Sequence, residues 1–206
     1  MNLLTSAHDQ VFAMFVSKLS QVRASKRCVF FDRDGVINRS PGQGYVLSKE
    51  DFFLIEGIGN LLNWLHSRDW LAIVVSSQRC VGKGLIDLPM LASIHASMQQ
   101  DLQDRYGSNF DAIYAFTGLP ATESWSKPRP GMIDQACMDH VIDPLQSIMI
   151  GDQDRDIQMA INSNIGCTIR CLDPQESRSN LVLADEYVVS ADDMVDRLKS
   201  VVQRMN

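Results

Sequence analysis

The sequence holds little that would tie it to a membrane, a disulfide scaffold or a nucleic acid. No apolar run reaches the length of about 20 residues that a membrane-spanning helix needs. The five cysteines, Cys28, Cys80, Cys137, Cys167 and Cys171, are odd in number and form no Cys-x-x-Cys pair. Such a set suits reduced thiols in a cytoplasm rather than a disulfide framework or a zinc site. Basic residues occur as scattered pairs such as Lys26-Arg27, and the formal net charge is -6, so nothing attracts a phosphate backbone from a distance. Internal repeats, low-complexity stretches and linkers are also missing. What remains is an ordinary soluble composition, 45% hydrophobic and 21% charged, over 206 residues that suffice for one α/β domain with a sizeable core.

Within the first 26 residues, Val11, Phe12, Phe15, Val16, Leu19 and Val22 follow helical spacing. His8 and Asp9 come early, and no basic start precedes an uninterrupted apolar run, so a signal peptide is not expected. Residues 1–26 are read as an amphipathic helical extension packed on a domain that spans 27–206, with a partner-binding helix as the alternative. Short apolar runs rich in β-formers recur at 28–31, 71–75, 112–116, 147–150, 168–172 and 187–189, and these read as buried strands. Helical patterns lie between them at 59–67, 90–105, 131–140, 154–163 and 192–202. Strand and helix alternate, which implies a three-layer, Rossmann-like α/β fold, a mostly parallel sheet with helices on both faces.

In such sheets ligands bind beyond the carboxyl ends of the strands, so the polar residues directly after each run matter most. Asp32 and Asp34 follow the first run, two residues apart, and Gly35 after them permits a tight turn. Two acids so placed can bind a cation and attack an electrophile together. A phosphate dianion repels a bare carboxylate, so a hard cation such as Mg2+ is needed there. Gly151-Asp152-Gln153-Asp154-Arg155-Asp156 emerges at the same edge after the fourth run, and Asp152 is the better ligand. Asp154 reads as a first-turn helix acid favoured by the macrodipole. Ser76-Ser77-Gln78 offers hydroxyl and amide groups to a phosphoryl oxygen at a third strand end. Lys127 lies in a loop stiffened by Pro128 and Pro130, which favours a positioned cation facing phosphoryl charge. The irregular stretches 39–47 and 118–130 are expected as loops at the mouth of the site.

These four elements, in this order, resemble the haloacid dehalogenase (HAD) superfamily of phosphohydrolases over nearly all of the chain after Lys26. The resemblance implies Asp32 as nucleophile, Asp34 as general acid/base, Ser76 as phosphate-binding hydroxyl and Lys127 as charge stabiliser. It also implies a Mg2+ site built from Asp32, the Asp34 backbone carbonyl and Asp152, with Asp156 supporting it. Asp32-Arg33-Asp34-Gly35-Val36-Ile37-Asn38, Gly44-Tyr45-Val46, Phe53, Gly57 and Lys127-Pro128-Arg129-Pro130-Gly131-Met132 look more closely like the D-glycero-D-manno-heptose 1,7-bisphosphate 7-phosphatases and the related histidinol-phosphate phosphatases. That subfamily has little or no cap domain, in agreement with the short spacing from Asp34 to Ser76.

Two departures stand out. Residues 117–126 contain no cysteine or histidine, so the structural zinc of many relatives is not expected here. The phosphate loop reads Ser76-Ser77-Gln78-Arg79-Cys80 where the subfamily usually has Thr-Asn-Gln-Ser-Gly, and Ser126 replaces a usual arginine. Ser77, Arg79 and Arg129 are candidate substrate-binding residues; each arginine lies beside a motif residue, and a guanidinium can hold carboxylate or phosphate through two hydrogen bonds. The expected activity is Mg2+-dependent hydrolysis of a small phosphorylated metabolite, a heptose bisphosphate among the candidates, by a cytoplasmic monomer or weak homodimer with no membrane or nucleic-acid partner. Alternatives are a histidinol-phosphate-type phosphatase, a polynucleotide 3′-phosphatase, and a phosphosugar-binding protein without turnover.

Overall fold

A computed structural model describes residues 25–42, 44–172 and 182–205. Six strands form one parallel sheet: β1 Arg27–Phe31, β2 Trp70–Ser77, β3 Ala112–Phe116, β4 Ile148–Gly151, β5 Cys167–Cys171 and β6 Glu186–Val188. Their spatial order is β3-β2-β1-β4-β5-β6. The helices are α1 Ile58–His66, α2 Leu88–Tyr106, α3 Gly131–His140, α4 Asp154–Asn162 and α5 Ala191–Met205. All six expected strands and all five described helices are present. The amphipathic extension expected over 1–26 falls, as far as residue 24, outside the described residues.

Alternation along the strands sorts the core into two layers. Val29 and Phe31 of β1 join Ala72, Val74 and Ile150 beneath α1, α2 and α5, represented by Leu62, Met98 and Leu198. Cys28 and Phe30 face the other way, with Ile73, Val75 and Met149, against Ile133 of α3 and Met159 of α4. A strand buried on both faces needs an unbroken apolar run, and Cys28-Val29-Phe30-Phe31 supplies one at 0% exposure. Even-numbered side chains of β1 therefore point to the α3/α4 layer, and Asp32 is the next even position.

The chain winds outward from β1 to β3, then crosses back to lay β4 on the other side of β1. That crossing makes a crevice at the carboxyl ends of β1 and β4, where the first and fourth runs deliver their acids. Residues 32–57, between β1 and α1, contain only isolated bridges such as Asn38 with Leu54 among the described residues, so no cap domain covers the crevice from that segment.

Two local differences from the sequence reading have physical causes. β2 continues through Ser76 and Ser77 because the backbone of each still pairs with Ala115 and Phe116 of β3. A parallel ladder uses main-chain groups and tolerates hydroxyl side chains. The stretch expected to be irregular after β3 contains a 3-10 turn, Pro120–Trp125, whose leading proline already has a helical φ.

Candidate active site

Asp32 is the first residue past β1, yet its N–H still donates to the Ile150 carbonyl at 2.9 Å, so the sheet itself holds its backbone against β4. Asp152 follows β4 directly, and Asp156 lies in the first turn of α4. Ligand atoms of Asp32, Asp152 and Asp156 all fall within 4.8 Å of one another. Lys127, from the loop before α3, sits between two of them: its Nζ is 2.8 Å from Asp32 Oδ1 and 2.7 Å from Asp156 Oδ1. Asp156 uses its other oxygen to accept from the Gln153 N–H at 2.9 Å, which caps the start of α4.

Glycines make this approach possible. Gly35 has φ +89, and a Cβ there would lie 2.5 Å from Asp152 Oδ2. A Cβ on Gly151 would collide with the Asp156 side chain. Only a residue without a side chain lets these turns close on the acids.

The electrostatics are unbalanced. Three carboxylates share one ammonium in a site where Lys127 and Asp156 side chains are 1% and 0% exposed. Burial pushes Asp32 up to about 6, against the pull of Lys127. Burial, then the charges of Asp32 and Asp156, pushes Asp152 up to about 7. Lys127 loses hydration too, but Asp156 and Asp32 more than offset that and hold its ammonium above the usual lysine value. Asp152 Oδ1 is buried and has no hydrogen-bond partner among the described residues. A hard divalent cation fits this donor set: it would supply the missing positive charge and engage the orphaned oxygen.

Asp34 is built differently. Arg33 donates to it from Nε at 3.2 Å and from NH2 at 3.0 Å to each oxygen. Asn38 Nδ2 adds a bond at 2.9 Å, and Gln78 Nε2 another at 3.0 Å. Gln78 also donates to Ser76 Oγ at 2.8 Å, so the amide expected to face a phosphoryl oxygen instead ties two site residues together.

A cavity of about 90 Å³ opens beside these groups, lined by Asp32, Asp34, Ser76, Ser77, Asp152, Gln153 and Arg155 together with Ser40 to Gly42, Gly44 and Tyr45. Asp32, Asp34, Ser76, Ser77, Lys127, Asp152 and Asp156 are thus brought together. Arg79 and Arg129 are not on that lining. Arg79 reaches Ser126 Oγ at 3.4 Å with its guanidinium over the Phe116 ring, and Arg129 donates to the Glu123 carbonyl and carboxylate. Asp154, read as a helix acid, accepts from Arg170 at 2.8 Å and from the Val182 N–H. Sequence reasoning missed Arg155. It is exposed on the cavity wall, and it makes no hydrogen bond or ion pair with any described residue.

A family model described as HAD-hydrolase-like matches residues 124–169, which run from the lysine loop through the second acidic cluster. A D-glycero-beta-D-manno-heptose-1,7-bisphosphate 7-phosphatase of Haemophilus ducreyi is 33% identical over 147 residues, covering 68% of this chain and 80% of that protein. The corresponding Helicobacter pylori enzyme is 32% identical over 142 residues, 68% of this chain and 81% of its own length. The chain belongs to the heptose-bisphosphate phosphatase family. It is a HAD-type phosphatase, and its architecture agrees: a Bordetella bronchiseptica D,D-heptose 1,7-bisphosphate phosphatase, solved with magnesium and phosphate, superposes with a TM-score of 0.74 at 22% identity, over 85% of this chain and 99% of that one. No described helix is long and apolar enough to cross a membrane.

Proposed function

We propose that this phosphatase hydrolyses one phosphomonoester of a small sugar bisphosphate, with Asp32 as nucleophile and Asp34 as general acid and base. The observation that carries this reading is the Asp32–Lys127–Asp156 chain of contacts beside the unpartnered Asp152 oxygen. Lys127 occupies one Asp32 oxygen, which leaves the other to attack phosphorus. The bond from phosphorus to the leaving oxygen breaks as Asp34 delivers a proton to that oxygen, and Asp32 becomes an aspartyl phosphate. In the second half Asp34 takes a proton from water, whose oxygen attacks phosphorus and releases Asp32. Lys127 and the Ser76 hydroxyl stabilise the charge that builds on the phosphoryl oxygens.

Mg2+ is the cation proposed for Asp32, the Asp34 carbonyl and Asp152, with Asp156 positioning Lys127 alongside. Its contribution when bound is to screen the repulsion between the carboxylate and the phosphate. The acidic donor set supports this choice, as does the magnesium in the Bordetella relative.

The bisphosphate rests on the substrates of the two bacterial relatives and on Arg155, which offers an unpaired guanidinium to a second anionic group. Histidinol phosphate carries a cationic amine at its far end and would be repelled there. Phosphate release from D-glycero-D-manno-heptose 1,7-bisphosphate, histidinol phosphate and simple sugar monophosphates, with and without Mg2+, tests the reading. The bisphosphate is expected to have the highest kcat/KM, and activity should vanish under chelation and return with Mg2+. Preference for histidinol phosphate would reject the substrate, and indifference to chelation would reject the cation.

A further inference from the structure

Arg33 separates the two motif aspartates, and a surface position would be the ordinary expectation for it. It is instead 0% exposed. A guanidinium has five N–H donors in a fixed plane and no acceptor, so a buried one must be surrounded by acceptors. One edge of Arg33 meets Asp34 through Nε and NH2. NH1 meets Nε2 of His95, 62 residues away in the middle of α2, at 3.2 Å. Because Arg33 can only donate, His95 Nε2 must be the acceptor, so the imidazole is neutral with its proton on Nδ1. Burial, and then the Arg33 charge, push His95 down to about 4, which keeps it an acceptor at any pH where the enzyme would be assayed.

The consequence lies in how Asp34 is aimed. A guanidinium held on one edge alone can rock about its contact with the carboxylate, and Asp34 would rock with it. Anchored on α2 through NH1, the fork is fixed in plane, and Asn38 and Gln78 fix the carboxylate from its other sides. Proton transfer to a leaving oxygen requires a heavy-atom separation of about 2.6–3.2 Å, so small errors in aim cost rate. We propose that His95 is a positioning residue that acts through Arg33 to aim Asp34 at the leaving-group oxygen. This rests on the proposed role of Asp34 as general acid, and the experiment separates the two.

An alkoxide needs a proton as it departs, whereas nitrophenolate leaves without one. A residue that aims the general acid therefore matters for a sugar phosphate and little for p-nitrophenyl phosphate, while a residue that merely fills space affects both alike. The measurement is kcat/KM on both esters for wild type, Asp34→Asn, His95→Leu and His95→Gln, all with Mg2+ and with melting temperatures recorded. His95→Leu is expected to lose about 10- to 100-fold on the sugar phosphate, within the range for general acid catalysis, and less than about threefold on the nitrophenyl ester. His95→Gln returns an oxygen acceptor to NH1 and is expected to recover most of the loss. His95→Met, of similar bulk, replaces the leucine variant if that one does not fold. Equal losses on the two esters, or a glutamine variant as impaired as the leucine one, would overturn the role of His95. If Asp34→Asn itself showed no preference between the esters, the assignment of Asp34 would fall instead.

Discussion

The floor and the rim of the cleft solve opposite problems. On the floor, Lys127 is 1% exposed and touches two carboxylates at 2.8 and 2.7 Å. On the exposed rim outside the cavity lining, in the loop before α3, Arg129 and Glu123 form an ion pair at a similar 3.0 Å, but with side chains 57% and 61% exposed. The distances are alike and the energetics are not. Water and salt screen the rim pair to about 0–1 kcal/mol, whereas the floor charges have surrendered their hydration and depend on one another. The floor contacts are thus the costlier to disturb, and the rim contact the cheaper.

The largest effect should come from the floor. Asp32→Asn preserves shape and removes the proposed nucleophile, and single-turnover phosphate release should fall by at least about 10⁴-fold with little change in fold by circular dichroism. Near-normal turnover would end the comparison at once. Lys127→Met should cost both rate, by about 10²- to 10³-fold, and stability, by about 3 kcal/mol in denaturant unfolding, because two buried acids lose their partner.

A pH titration of stability would sharpen the contrast further. Asp32 and Asp152 are raised from the usual 3.8 to about 6 and about 7, burial being the first cause for each. Each binds its proton more tightly folded than unfolded. Their contribution is therefore fully present below about pH 4 and is lost as pH rises through 6 to 7. Metal-free protein should melt at progressively lower temperature across that window, and the rise in melting temperature on adding Mg2+ should be larger at pH 8 than at pH 5. An equal rise at both pH values would mean that the cation does not bind at these acids.

Rim substitutions should be milder and should act on KM. Arg155→Ala should raise KM for a bisphosphate by about tenfold and leave a monophosphate nearly unchanged. Arg79→Ala and Arg129→Ala, whose side chains lie off the cavity lining, should each shift KM by less than about fivefold. A larger effect from either than from Arg155 would reverse the order along the rim.

The same division explains what could be read from the sequence. Asp32 and Asp152 announce themselves because each directly follows a strand's apolar run, and strand ends in a parallel sheet are where chemistry collects. Lys127 was legible through the prolines on both sides of Arg129, which stiffen its loop. The Arg33–His95 contact was not, since 62 residues separate the partners and nothing in α2's pattern marks His95 as facing a charge. Arg155 was hidden for a related reason. One residue before Asp156 on the first turn of α4, it reads as an ordinary solvent-facing helix arginine, and only the fold brings Ser40 to Gly42, Gly44 and Tyr45 to the same cavity. The strand status of Ser76 and Ser77 was invisible because backbone pairing leaves no trace in hydroxyl side chains.

Gly35 carries a consequence for inheritance. The volume that a methyl group would need there is already filled by Asp152 Oδ2, at 2.5 Å. Two positions more than a hundred residues apart therefore hold joint title to one small space, and a change at either is judged by what stands at the other. A descendant that lost the glycine could persist only by retracting the acid, and with it the site. The loop after β1 and the loop after β4 are bound to drift together or not at all.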